Sequence, residues 1–79
     1  MKPETASGQA LRYFRKNINI SQEKLSQESG LDRSYISLLE RGLRQPSLTS
    51  ILQLSKALKI SSMDFISKVE VLLGEDRKD

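Results

Sequence analysis

The chain of 79 residues contains no cysteine and no histidine. Without cysteine there is no disulfide framework and no thiolate metal site, which suits a reducing cytosol. Without histidine, the commonest general base and the commonest transition-metal ligand are both missing. Tryptophan is absent too, and two Tyr and two Phe are the only rings. That is few for a protein that stacks single-stranded RNA bases. No apolar run approaches the length of a membrane span, and the N-terminus carries no signal-peptide core. The expectation is a cytoplasmic protein with no membrane partner. No glycine-rich phosphate loop or metal-ligand cluster stands out, and the carboxylates read as helix caps and helix surface. The chain is therefore expected to be no enzyme, with no catalytic residues, metal, cofactor or small-molecule ligand.

What is present points elsewhere. A chain this short makes one domain with a small core, which idealised helix packing or a partner subunit would help to stabilise. Its net charge of +3 is unevenly placed. Residues 1–46 hold eight Lys/Arg against five Asp/Glu, whereas residues 47–79 hold five of each. The excess positive charge lies wholly in the first half, as suits a surface that faces phosphate.

The first half is organised around residues 21–41, SQEKLSQESGLDRSYISLLER. Ser21 is a helix N-cap type, because its hydroxyl can accept from an otherwise unpaired backbone N–H. A helix over Gln22–Ser29 follows, anchored by Leu25. Gly30 ends it, since glycine takes up the left-handed conformation at little steric cost. Leu31 fills the corner, and Asp32 is the cap of the next helix, about 33–41. There Ile36 and Leu39 face inward at i, i+3 spacing, and Gly42 stops the helix. Two short helices joined by a tight glycine-containing turn make a helix-turn-helix.

The rest of the chain reads as helix as well. Residues 1–6 are small, polar and include Pro3, and read as a flexible tail. The first helix, about 7–17, turns Ala10, Leu11, Phe14 and Ile18 inward. Ile20 is placed as a hydrophobic staple before Ser21. Ser47 caps a fourth helix, 48–58, with an apolar face of Leu48, Ile51, Leu52, Leu54, Ala57 and Leu58. Ser61 and Asp64 form a capping box for a fifth, 62–73, which Gly74 stops. Residues 75–79 form a charged tail. The pattern predicts an all-α, compact five-helix bundle, with the domain over 7–74.

With these elements placed, the stretch SQEKLSQESGLDRSYISLLERGLRQPSLTSILQLSKAL resembles the Xre family, the Cro and repressor type of helix-turn-helix regulator. The match rests on Gln22, Leu25, Gly30, Ile36, Glu40, Arg41, Gly42, Pro46 and Leu54 in order. Within it, LDRSYIS, ERG and RQPSL are similar to the small controller proteins of restriction–modification systems. The resemblance implies a lambda repressor-like fold that binds double-stranded DNA and regulates transcription.

The third helix is then the reader, because a helix fits the major groove with its N-terminal residues at base edges. Arg33 suits guanine, and Ser34 and Ser37 suit a base edge or a phosphate. Tyr35 suits a phosphate or the sugar and thymine-methyl wall; alternatively it covers the seam with the fourth helix. Arg44 and Gln45 follow in a loop and can reach phosphate or an adjacent base, with Arg41 as a further candidate. Gln22, by resemblance, touches a phosphate and braces the reader; a helix start offers an anion free N–H groups and partial positive charge. The resemblance also implies that Arg15 and Glu40 pair across the core. The fifth helix is too apolar for one face, and Phe65, Val69 and Leu72 are expected to be left exposed. In the resembled controllers this helix forms a two-fold dimer. A homodimer sets two readers roughly 34 Å apart and predicts a palindromic operator. A helix-turn-helix antitoxin or protein-interaction module is the alternative.

Overall fold

The computed structural model describes residues 1–76, and over these the chain is five helices with no strand. They are α1 (Pro3–Asn17), α2 (Gln22–Ser29), α3 (Arg33–Glu40), α4 (Leu48–Ala57) and α5 (Ser62–Asp76). Their shared core is Ala10, Leu11, Leu25, Ile36, Leu39, Leu54, Leu58 and Phe65.

Serine caps start three of the helices. Ser21 Oγ accepts from Lys24 N at 3.0 Å, Ser47 Oγ from Ser50 N at 3.1 Å, and Ser61 Oγ from Asp64 N at 3.0 Å. Asp32 sits at the cap position of α3, but its carboxylate makes no capping hydrogen bond, so only its charge favours that end. Four helices are followed by a residue of positive φ, Gly30 after α2 among them, and the other three end alike. Gly42 (φ 74°) takes this place after α3, as glycine readily does, but Asn19 (φ 58°) and Lys59 (φ 62°) take it after α1 and α4. In each case two backbone N–H groups reach back to free carbonyls of the last turn; Leu43 N donates to Leu38 O and Ile60 N to Ser55 O, both at 3.0 Å.

Several expectations are corrected here. Residues 3–6 are not a tail but the first turn of α1, with Pro3 at its start, where a missing N–H costs nothing. Ala6, Ser7 and Gly8 are buried. The reason is close approach: a Cβ on Gly8 would run into the carbonyl oxygen of Leu39 and lie 3.0 Å from that of Glu40. One turn earlier, Thr5 covers the turn at Gly42. Ile18 lies beyond the end of α1 and is exposed rather than inward. Gly74 does not stop α5, which continues through Asp76; of the expected charged tail, 77–79 lies outside the described residues. On α4, Leu54 and Leu58 are buried whereas Leu48 and Leu52 face out.

Phe65 is the largest correction. It is fully buried, its ring stacked 6.1 Å from that of Phe14, so it joins α5 to α1. Lys68 adds a second tie, its Nζ 4.1 Å from the centre of the Tyr13 ring. Val69 and Leu72 are half-buried and pack on the core. The exposed large apolar residues of α5 are instead Met63 (78%), Val71 (49%) and Ile66 (41%), and those of α4 are Leu48 (73%) and Leu52 (52%).

One core position is out of keeping with its surroundings. Ser55 is buried, and its hydroxyl has no hydrogen-bond partner among the described residues. An unpaired buried hydroxyl costs about 1–3 kcal/mol, and alanine is also the better helix former. Ser55→Ala is therefore expected to stabilise the protein by about 1 kcal/mol, or roughly 4–8 °C in Tm. A thermal melt that fell instead would show that Ser55 has a partner in solution.

Candidate nucleic-acid interface

The site is built on the two sides of α3. One side is fixed. Glu40, the last residue of α3, receives Arg15 Nε at 2.6 Å and Arg15 Nη2 at 2.9 Å, a two-pronged pair between α1 and α3. Arg15 Nη1 donates to Ile20 O at 2.9 Å, and Gln22 Nε2 donates to Glu40 Oε1 at 3.1 Å. The Arg15–Glu40 pair thus gathers α1, the loop after it, α2 and α3. Both side chains are largely covered, at 12% and 5% exposure. The hydrogen bonds it donates to Glu40 hold the Arg15 guanidinium above its ordinary pKa, outweighing the opposite pull of burial. The pair expected from the resemblance is present. The Gln22 side chain, expected both to touch a phosphate and to brace the reader, is part of the same brace.

The turn into α3 is fixed in the same manner. Gly30 (φ 78°) reverses the chain, Ser26 Oγ donates to Leu31 O, and Leu31 N donates to Ser29 Oγ at 3.2 Å. Leu31 packs on the core as expected. These local bonds use the turn's own hydroxyls, so the angle between α2 and α3 does not depend on any ligand.

The other side of α3 is open. Arg33, Ser34, Ser37, Leu38 and Arg41 line a shallow trough along its outer surface. Arg33, Ser34 and Arg41 are exposed, and Ser37 is half-covered. Arg41 Nε reaches back to Ser37 O at 3.4 Å, which lays its stem along the helix. Eight residues of helix span about 12 Å, close to the width of the major groove. Four of the expected contact residues are therefore brought together. Leu38, which sequence reasoning passed over, joins them because it lies four residues after Ser34 and three before Arg41.

The remaining three expected residues lie apart from the trough. Tyr35 is half-buried against α4, its hydroxyl 2.9 Å from Ser50 Oγ, which in turn accepts from Ser47 Oγ at 3.0 Å. Of the two roles open to Tyr35, this favours the seam with α4. Arg44 lies over its ring, 5.8 Å from the centre, and is otherwise exposed beside α3. Gln45 is exposed but borders a different place, an apolar cleft of about 160 Å³ whose lining includes Pro3, Pro46, Ile51, Ile66 and Val69. No group of three acidic residues is arranged to hold a metal ion among the described residues, and no helix there is long and apolar enough to cross a membrane.

A braced helix with one polar, arginine-tipped side is the arrangement found in proteins that read a DNA groove. Comparison with known proteins agrees. The family profile described as helix-turn-helix matches residues 11–66, which takes in all of α2, α3 and α4. The chain belongs to the helix-turn-helix family. Among the relatives of this helix-turn-helix chain, control protein C.BamHI of Bacillus amyloliquefaciens is 42% identical over 72 residues, covering 90% of this chain and 89% of the relative. The crystal structure of the restriction-modification controller protein C.AhdI from Aeromonas hydrophila superposes with a TM-score of 0.76 at 45% identity, covering 78% of this chain and 94% of that one. The restriction-modification controller protein C.Esp1396I, solved as a tetramer in complex with its natural 35 base-pair operator, superposes at 0.80 with 28% identity, over 87% of this chain and 91% of that one.

Proposed function

We propose that this chain is a cytoplasmic transcriptional regulator of the restriction–modification controller kind, binding a palindromic double-stranded operator as a homodimer. The observation that carries the reading is the division of α3. Glu40 and the core residues Ile36 and Leu39 lock one side, and Arg33, Ser34, Ser37 and Arg41 line the open trough on the other. The similarity to controller proteins, one of them solved on its operator, supports it.

Arg33, at the start of α3, takes the base-edge role, with Ser34 and Ser37 beside it. Arg41 and Arg44 take phosphate, and Gln45 extends the loop towards the backbone. A phosphate at the start of α2 meets backbone N–H groups, because the Gln22 carboxamide is held by Glu40. The role is recognition rather than catalysis.

Selection of bound sequences from a random duplex library tests the reading directly. The expected product is a palindrome with half-site centres about 10 bp apart, one turn of DNA. Absence of any enriched sequence overturns it. On the recovered operator, Arg33→Ala is expected to lose about 1–3 kcal/mol of binding and to relax the preference at one base per half-site. Unchanged affinity and preference would remove Arg33 from the base-reading role.

The dimer rests on the apolar surface that the corrected fold leaves open: Met63 and Ile66 on α5 and Leu48 and Leu52 on α4. Large apolar side chains left exposed on two neighbouring helices suit a surface that a partner covers. Ile66→Asp is expected to halve the mass measured by light scattering at micromolar concentration while leaving the helical circular dichroism intact. A wild-type mass equal to one chain, or a variant that stays paired, would count against this face.

A further inference from the structure

We infer that Leu38 reads the 5-methyl group of a thymine, one in each half-site, and so sets sequence preference alongside Arg33; this inference rests on the DNA-binding reading above. Leu38 is an apolar side chain lining a trough whose other walls are arginine and serine. It belongs neither to the core cluster nor to the apolar residues packed around that cluster. It is half-covered, so its side chain is not wholly surrounded by solvent. Leu38 is no part of the shared core, and its position in the trough is where a base edge would lie.

The chemistry of the groove narrows what it would meet. Across the major groove the base pairs present hydrogen-bond donors and acceptors, and one apolar group, the thymine C5-methyl. Arginine and serine can satisfy the donors and acceptors but gain nothing from a methyl. Leucine gains from the methyl and leaves a polar base edge without a partner. Leu38 therefore both favours thymine and disfavours cytosine at the same step, since cytosine presents a donor there and no methyl. It is one turn on from Ser34 along the helix, so the thymine would lie on the side of the Ser34 contact away from Arg33.

The test uses the selected operator, with each thymine replaced in turn by deoxyuridine, which removes the methyl and nothing else. For the wild-type protein, one position per half-site is expected to weaken binding about fourfold, the effect of losing one buried methyl-sized group. For Leu38→Ala the same replacement is expected to have no effect. Leu38→Met, which keeps apolar area, is expected to retain a penalty at that position. The inference is overturned if no deoxyuridine position weakens the wild type, or if Leu38→Ala loses as much as the wild type does. Failure of the selection itself is a different result, since it removes the DNA-binding reading and the role of Leu38 with it.

Discussion

Arg15→Ala is expected to be strongly destabilising. It leaves the Glu40 carboxylate 5% exposed, at the negative end of α3, with Gln22 as its remaining side-chain donor. Breaking one partner of a buried pair costs about 3–5 kcal/mol. A domain of this size has roughly 4–12 kcal/mol of stability in all. The midpoint of thermal unfolding should therefore fall by more than about 12 °C. The double change Arg15→Met with Glu40→Leu separates two explanations. If the loss comes from a stranded charge, the double variant regains much of it, because an apolar pair of similar volume needs no compensation. If it comes from the lost fastening of four segments, the double variant stays low. A drop below about 1 kcal/mol for Arg15→Ala would show the pair to behave as an exposed one.

Gly8→Ala is the second. In an exposed helix this change would stabilise by about 1 kcal/mol. Here the new methyl meets the backbone carbonyl oxygens of Leu39 and Glu40, which have no rotamer in which to move aside. Either α1 or the end of α3 must shift, and Arg15 is on α1 and Glu40 at the site of the clash. Overpacking against fixed neighbours costs about 1–3 kcal/mol, and backbone neighbours put this case at the upper end. A net loss of about 2 kcal/mol is expected in urea denaturation, with the midpoint lowered and the slope unchanged. Gly74→Ala is the control. It is also helical, but an added Cβ has nothing within 4 Å, so it should gain stability rather than lose it. If both glycines respond alike, the close approach of α1 to α3 is not what holds Gly8 at its position.

These two positions show what can be read in a one-dimensional chain and what cannot. The caps at Ser21, Ser47 and Ser61 and the turn at Gly30 were legible, because each is settled by residues within one turn. The start of α1 was not. Ala6, Ser7 and Gly8 are buried by being small, and smallness carries no apolar period. The ends of α1 and α4 were legible to within a residue, but the positive φ of Asn19 and Lys59 was not, since glycine is the residue that announces it. Phe65 was misplaced because α5 has more apolar positions than one side can use, and only the location of Phe14 decides which go inward. In the site, Arg33, Ser34, Ser37 and Arg41 followed from helical spacing. The pairing of Arg15 with Glu40, 25 residues apart, came from resemblance and had no local signal. The commitment of Gln22 to Glu40, and of Tyr35 to Ser50, needed the tertiary contact itself.

The two sides of α3 are served by different residues. Ile36, Leu39 and Glu40 answer to the rest of the protein, and Arg33, Ser34, Ser37, Leu38 and Arg41 to whatever lies outside it. A change among the second group leaves the first untouched. A duplicated copy of such a gene can drift to a new target sequence one side chain at a time without passing through an unfolded ancestor. On the proposed reading, two copies can part company while keeping the same scaffold, by changes among these five positions alone.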